Sequence, residues 1–142
     1  MDSSIYITPE GLKEPTISQG VFGMVTMPLV DTTYTEDYRF EGVVRDIYFF
    51  PYYAIDSVLY GMGPVDCLYP WMPSDPLFIS RSNSLGYFQA PLKAGEYLYM
   101  VKEGNGFFID LYVSSHLPGK VEVFENKVTE LKIHMIDCSM VY

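Results

Sequence analysis

SLGYFQAPLKAGEYLYMV, residues 84–101, decides how the rest of the chain is read. A glycine-centred turn at Gly86 feeds the short segment 87–90, Pro91 and Gly95 bracket a second turn, and an alternating run follows over 97–101. Strand, turn, strand is the grammar of a β-hairpin, so this stretch predicts an all-β fold.

The same grammar recurs outward in both directions. On the C-terminal side, Glu103-Gly104-Asn105-Gly106 is a second strong turn, followed by a strand over 107–113 and a break at 116–119. Val121 and Val123 then alternate with Glu122 and Phe124, and Asn126-Lys127 turns the chain into 128–136. Residues 126–136 are the nearest helix candidate, through Val128, Leu131 and Met135. The alternation of Thr129, Leu131, Ile133 and Met135 against Val128, Glu130 and Lys132 favours a strand.

On the N-terminal side, 77–80 is a short strand, preceded by a span 63–76 whose four prolines exclude a helix or a central strand. Residues 55–62 are a further strand candidate. VVRDIYFF, 43–50, is apolar on both faces toward its end, which implies a central strand or an occluded edge. The polar stretch 31–41 reads as a long loop. GVFGMVTM, 20–27, is the first strand, with Val21, Gly23 and Val25 on one face, Phe22, Met24 and Thr26 on the other, and Pro28 closing it. Residues 1–19 hold two prolines and a glycine without sustained period, which suggests an N-terminal arm or linker ahead of one domain over 20–142. About seven short strands at turn-separated intervals predict a two-sheet antiparallel β-sandwich.

Composition agrees. Thirteen Tyr and nine Phe give an aromatic share of 16% among 142 residues, and both types favour strands. The formal charge of −9, with the 9 Lys and Arg scattered singly, argues against nucleic acid as a partner. Residues 1–75 carry 11 carboxylates against 3 Lys or Arg, and a cation site around Asp31, Glu36 and Asp37 is outweighed by simple solvation of the acids. No run approaches the ~18 apolar residues of a membrane-spanning helix, so no direct membrane insertion is expected, and the first residues lack the basic and apolar regions of a signal peptide. Cys67 and Cys138 can be bridged or free, and free thiols are the preferred reading.

The order of these pieces over 20–136 resembles the carboxypeptidase regulatory-like, or transthyretin-like (prealbumin-like), family of β-sandwich domains. The resemblance is carried by GVFGMVT, the strand near 44–50, SNSLGYF, APLKAGEYLYMV and KVEVFENKVTELKIHM, with Gly86, Phe88, Leu92, Gly95 and Tyr97 in the matching places. Two departures stand out: the span 51–76 is longer and more aromatic than the usual connection, and Asn83-Ser84-Leu85 stands where an acidic residue is common. The resemblance implies an accessory module in a bacterial envelope or extracellular setting. Hydrolases of the transthyretin-like group use His and Arg residues with a C-terminal Tyr-Arg-Gly-Ser-type tail. This chain ends Ser139-Met140-Val141-Tyr142 and has only His116 and His134, so that set cannot be assembled.

Other chemistry is equally thin. There is no GxSxG elbow, and two His and two Cys dispersed over residues 67–138 make a poor zinc site. No cofactor is implied. His116 reads as a loop residue and His134 as a strand-surface residue. The feature above background is aromatic: the region 48–71 crowds Tyr and Phe around Trp71. An open platform of Tyr52, Tyr53, Tyr69 and Trp71 would suit a protein partner or the faces of sugar rings. The expected function is therefore a non-catalytic structural or protein-interaction module, with binding of a polysaccharide through that platform as the alternative.

Overall fold

A computed structural model of the chain describes residues 4–29, 39–55, 68–109 and 119–135. They form an all-β sandwich. The strands are β1 (Tyr6–Ile7), β2 (Gly20–Leu29), β3 (Arg39–Gly42), β4 (Asp46–Pro51), β5 (Phe78–Arg81), β6 (Tyr87–Pro91), β7 (Gly95–Glu103), β8 (Gly106–Phe108), β9 (Lys120–Val123) and β10 (Val128–His134). One sheet runs β1-β5-β4-β7-β8 with β9 also on β7; the other runs β10-β2-β3 with β6 also on β2. The sheets are mixed where the sequence suggests purely antiparallel ones, because β1 pairs with β5 and β10 with β2 in parallel. Among the described residues ten strands stand where about seven are expected; β1 and β3, two of the additions, have too few residues to show a period.

Two long strands organise the sandwich. β2 is flanked by β10 along one side and by β6 and β3 in succession along the other, while β7 has β4 on one side and β9 and β8 in succession on the other. Between the sheets, Val21 and Val25 of β2 and Phe88 and Ala90 of β6 meet Ile47 and Phe49 of β4 and Tyr97, Tyr99 and Val101 of β7. Val121, Val123 and Ile133 complete this core from β9 and β10. β7 is buried on its other face too. Leu98 and Met100 join Phe50, Ala54, Ile55, Tyr69, Phe107 and Ile109 in a second cluster outside the first sheet. That is why residues 47–50 and 97–101 are apolar at every position: both belong to interior strands covered on both faces.

The opening hairpin does not form. β6 and β7 follow one another through three residues yet lie in different sheets, stacked across the core rather than paired edge to edge. The Tyr97 hydroxyl donates to the Lys93 carbonyl at 2.7 Å and braces the connection. The links from β5 to β6 and from β9 to β10 also change sheet. A three-residue link reads alike in either geometry, and the choice is made by which faces have a core to fill. The β7–β8 turn at Gly104-Asn105 is a true hairpin, pairing Glu103 with Gly106.

Two further boundaries differ from expectation. β2 continues through Pro28, which faces Phe40 in β3, as a proline can when its missing donor is not needed on that side. The apolar run 43–50 is broken at 43–45, where the Ser82 hydroxyl receives the Arg45 amide (2.8 Å) and donates to the Val43 carbonyl (2.6 Å).

The segment expected as an arm runs along the side of the sandwich as a strap. β1 adds to the edge of the first sheet, and the Thr8 amide donates to the Arg81 carbonyl at 3.0 Å. Farther on, the Thr16 amide donates to Gln89 Oε1 (3.0 Å) while Gln89 Nε2 donates to the Tyr6 and Thr16 hydroxyls. At the centre is Asn83, only 1% exposed. Its Nδ2 donates to the Pro9 and Leu12 carbonyls, both at 3.0 Å, and its Oδ1 accepts from the Leu85 and Tyr87 amides, both at 3.1 Å. Every hydrogen-bonding position of the amide is filled. An acidic residue would keep the acceptors but turn an oxygen toward two carbonyls.

Asn83→Asp is therefore expected to lower unfolding free energy by about 2–4 kcal/mol and to open residues 4–19 to limited proteolysis before global unfolding. Denaturant titration showing a loss below about 0.5 kcal/mol would contradict this assignment.

A second expectation concerns the junction of β6 and β3 on β2. The Val25 amide donates to the Gly86 carbonyl (2.9 Å) and the Val25 carbonyl accepts from Val43 (3.1 Å). A Cβ on Gly86, whose φ is +92°, would lie 2.6 Å from the Gly42 Cα and 2.7 Å from the Val25 oxygen. Gly86→Ala should cost roughly 3 kcal/mol, against ~1 for Gly104→Ala, where φ is +57° and the surroundings are open. Equal losses in the two variants would refute the crowding.

Candidate functional site

The aromatic platform is only partly assembled. After β4 the chain makes one turn of 3-10 helix, Tyr52–Ala54, started by extended Pro51. Tyr53 projects from it with 77% of its surface exposed. Tyr52 is half-buried, with the Lys120 ammonium 5.3 Å from its ring centroid and that ammonium bonded to Glu96 at 3.0 Å. Trp71 is partly buried. Tyr69 is not a platform residue: it is 8% exposed and belongs to the outer cluster. Its backbone exchanges two hydrogen bonds with Phe107, each 2.8 Å, which draws its ring inward with the strand edge it extends. Tyr53 is thus the one widely open ring of the four. The strand candidate beyond Ile55, Tyr60, the acids at 31–37, His116, and both Cys67 and Cys138 lie outside the described residues.

The outer face of the second sheet offers a better-formed site. β2 turns Phe22, Met24 and Thr26 outward, β6 contributes Tyr87, and β10 contributes Glu130, Lys132 and His134. With Lys13, Glu14 and Pro15 of the strap overhanging, these residues line a groove of about 470 Å³. Its apolar floor is the Phe22–Tyr87 pair, stacked at 19° with centroids 5.8 Å apart, beside Met24. Its rim carries both signs of charge, Lys13 and Lys132 with Glu14 and Glu130. The strap wall stays in place because Thr16 is bonded to buried Gln89 on one side of it and Leu12 to Asn83 on the other.

His134 closes the groove at the β3 end. Its Nδ1 is 2.8 Å from the Thr26 hydroxyl, and its ring packs against Phe40 with centroids 5.1 Å apart. The Thr26 oxygen also lies 3.4 Å from the Ile133 carbonyl. One hydroxyl proton cannot serve both: given to Nδ1 it leaves the ring proton on Nε2, given to Ile133 it leaves Nδ1 to donate. Either way the imidazole is held by its inner nitrogen. Its placement on an exposed strand surface is the one read from sequence.

Thr26 is buried, so the Thr26–His134 contact orients a ring instead of presenting a nucleophile. Among the described residues no three His, Cys, Asp or Glu side chains gather where they could hold a metal ion. The signal for the groove was present in β2, whose second face carries Phe22 and Met24 where a solvated face would be polar. Comparison of the chain with protein-family models, curated proteins and solved structures gives no match.

The tyrosines respond to this packing. Burial pushes the Tyr48 phenol above its ordinary value, with the Asp46 carboxylate adding to the effect and Arg81 opposing it. Burial alone raises Tyr97. Both are groups whose neutral form the fold prefers, so their contribution is intact below the unfolded value of ~10 and is lost as pH rises through the folded values. Absorbance titration near 295 nm should show a late-ionising class of tyrosines, with chemical stability falling above pH ~10. A single class at the free-tyrosine value would contradict it.

Proposed function

We propose that this chain is a non-catalytic protein-interaction module that receives an extended partner segment in the groove of the second sheet. The reading is carried by one observation: Phe22, Met24 and Tyr87 form an apolar floor left open between a pinned strap and an edge strand, under a rim of mixed charge. An apolar centre with a charged rim is the anatomy of a protein-binding surface, and the volume is within the range of pockets that take a side chain or a small ligand. The occupant is a peptide segment with one aromatic or branched aliphatic residue between charged neighbours, which would pair with Lys13, Lys132, Glu14 and Glu130.

Membership of the transthyretin-like family and an exported, cell-envelope setting are part of the same proposal; the support is the β-sandwich together with the sequence resemblance over 20–136. Polysaccharide binding through Tyr52, Tyr53 and Trp71 is the second reading, favoured by the exposure of Tyr53 and weakened by the burial of Tyr69.

Panning a random peptide library on the protein is expected to enrich segments with one large apolar residue, and Tyr87→Ala should weaken the selected peptides at least tenfold, about 1.4 kcal/mol. Peptides that bind Tyr87→Ala unchanged would overturn the groove reading. Glycan-array signals lost in Tyr53→Ala or Trp71→Ala, with no peptide enrichment, would establish the sugar reading in its place.

A further inference from the structure

We propose that two copies of this chain join through β10, edge to edge and antiparallel, so that the second sheets of both molecules become one continuous sheet. The inference does not depend on what fills the groove.

Among the described residues, no strand pairs with the outer edge of β10. The hydrogen-bond directions along that edge are fixed by its parallel pairing with β2. The Met135 amide donates to the Thr26 carbonyl (2.8 Å) and the Lys127 carbonyl accepts from Gly20 (3.1 Å), so the odd-numbered residues turn their backbone groups toward β2. In a parallel ladder the alternate residues then point theirs away, which leaves Val128, Glu130, Lys132 and His134 with outward amides and carbonyls. The free edge is ready-made for another strand.

Side chains select both the partner and the register. Glu130, Lys132 and His134 stand exposed on the outer face, while Leu131 and Ile133 face the core. An antiparallel pair of β10 strands must set even residues against even residues to use the outward groups. With the two-fold axis at Leu131, Glu130 of each copy faces Lys132 of the other, and Val128 faces His134. On the inner face Ile133 stays in its own core and the Thr129 hydroxyl donates to the Glu122 carbonyl of β9 at 2.6 Å, so the outer-face charges select the register. Shifting the axis to residue 130 or 132 instead opposes Glu130 to Glu130 or Lys132 to Lys132, and directly opposed like charges destabilise a strand pair. One register is therefore self-complementary in charge, and its neighbours are not.

Within one molecule these charges are poorly used. The Lys132 ammonium lies 3.7 Å from Glu130, and both side chains are 71% exposed. A lone lysine on an edge strand repels an incoming strand. A lysine two residues from a glutamate, on the same face of the same edge, invites an inverted copy of itself. The partner is accordingly a second copy of this chain.

The test uses the full chain in sedimentation velocity, with Glu130→Lys, Lys132→Glu, the double reversal, and an equimolar mixture of the two single variants. Both positions are exposed, and far-UV circular dichroism checks that each variant is folded. The wild type is expected to dimerise, and each single reversal to raise the dimer dissociation constant at least tenfold, because it sets like charges opposite twice. The double reversal and the mixture should both restore the dimer, and added salt should weaken the wild type. A wild type monomeric at every concentration, a dimer indifferent to the single reversals, or a mixture that stays monomeric would each overturn the proposal.

Discussion

The buried amide of Asn83 is the contact on which the rest of the sandwich depends. It sits where the chain leaves β5 in one sheet and enters β6 in the other, and its four hydrogen bonds belong half to that crossing and half to the N-terminal strap. The two acceptor bonds fold 83–87 into a tight turn, closed also by the Asn83 amide on the Tyr87 carbonyl (2.8 Å) and by Gly86 on the Asn83 carbonyl (2.9 Å). The two donor bonds bring residues 9–12 over the turn. A buried amide left half-satisfied would cost more than it contributes, so strap and turn form together or not at all.

From that crossing follow the two features that matter for function. β6 is delivered to β2, where Phe88 and Ala90 complete the core while Tyr87 and Gln89 face outward. Gln89 is consumed by the strap, and Tyr87, one turn of the pleat away, is left to stack on Phe22 as the groove floor. The strap, in turn, is a wall of the groove because Thr16 and Leu12 are tied on either side of residues 13–15. Core, crossing and groove are thus consequences of one arrangement of backbone, and β10, laid parallel on the far side of β2, supplies both the other wall and an edge that no strand among the described residues pairs with.

Much of this was legible in the sequence and some of it was not, for identifiable reasons. Alternation at Val21, Val25, Val121 and Val123 and the apolarity of both faces at 47–50 announced strands, because periodicity is local, whereas 97–101, which reads as an alternating run, is buried on both faces of β7. The alternation that favours a strand over a helix in 126–136 is local too, and β10 forms over Val128–His134. Pairing is not local. The links 82–86 and 124–127 contain, and 92–94 is bracketed by, the same glycine, proline and asparagine signals as hairpin turns, yet each crosses between sheets, since two strands separated by a short link can equally pair or stack. The parallel partnership of β10 with β2 joins the two ends of the chain and leaves no short-range mark. The strap looked irregular because its order comes from Asn83 and Gln89, more than sixty residues away. Of the expected site residues, Tyr69 is core through its bridge to Phe107, whereas Phe22 and Met24, an apolar second face on β2, carry a weaker local signal than the denser aromatic run at 48–71.

The central claim is that residues 82–86 carry the chain from one sheet to the other, so that β6 lies against β2 and not against β7. Nuclear Overhauser contacts between backbone protons of facing strands test it directly in solution. The account predicts cross-strand contacts linking Phe22 to Gln89 and Gly23 to Phe88, with none between the backbones of 87–91 and 95–99. A ladder of contacts joining those last two segments as a hairpin, with Phe22 and Gln89 silent, would contradict it.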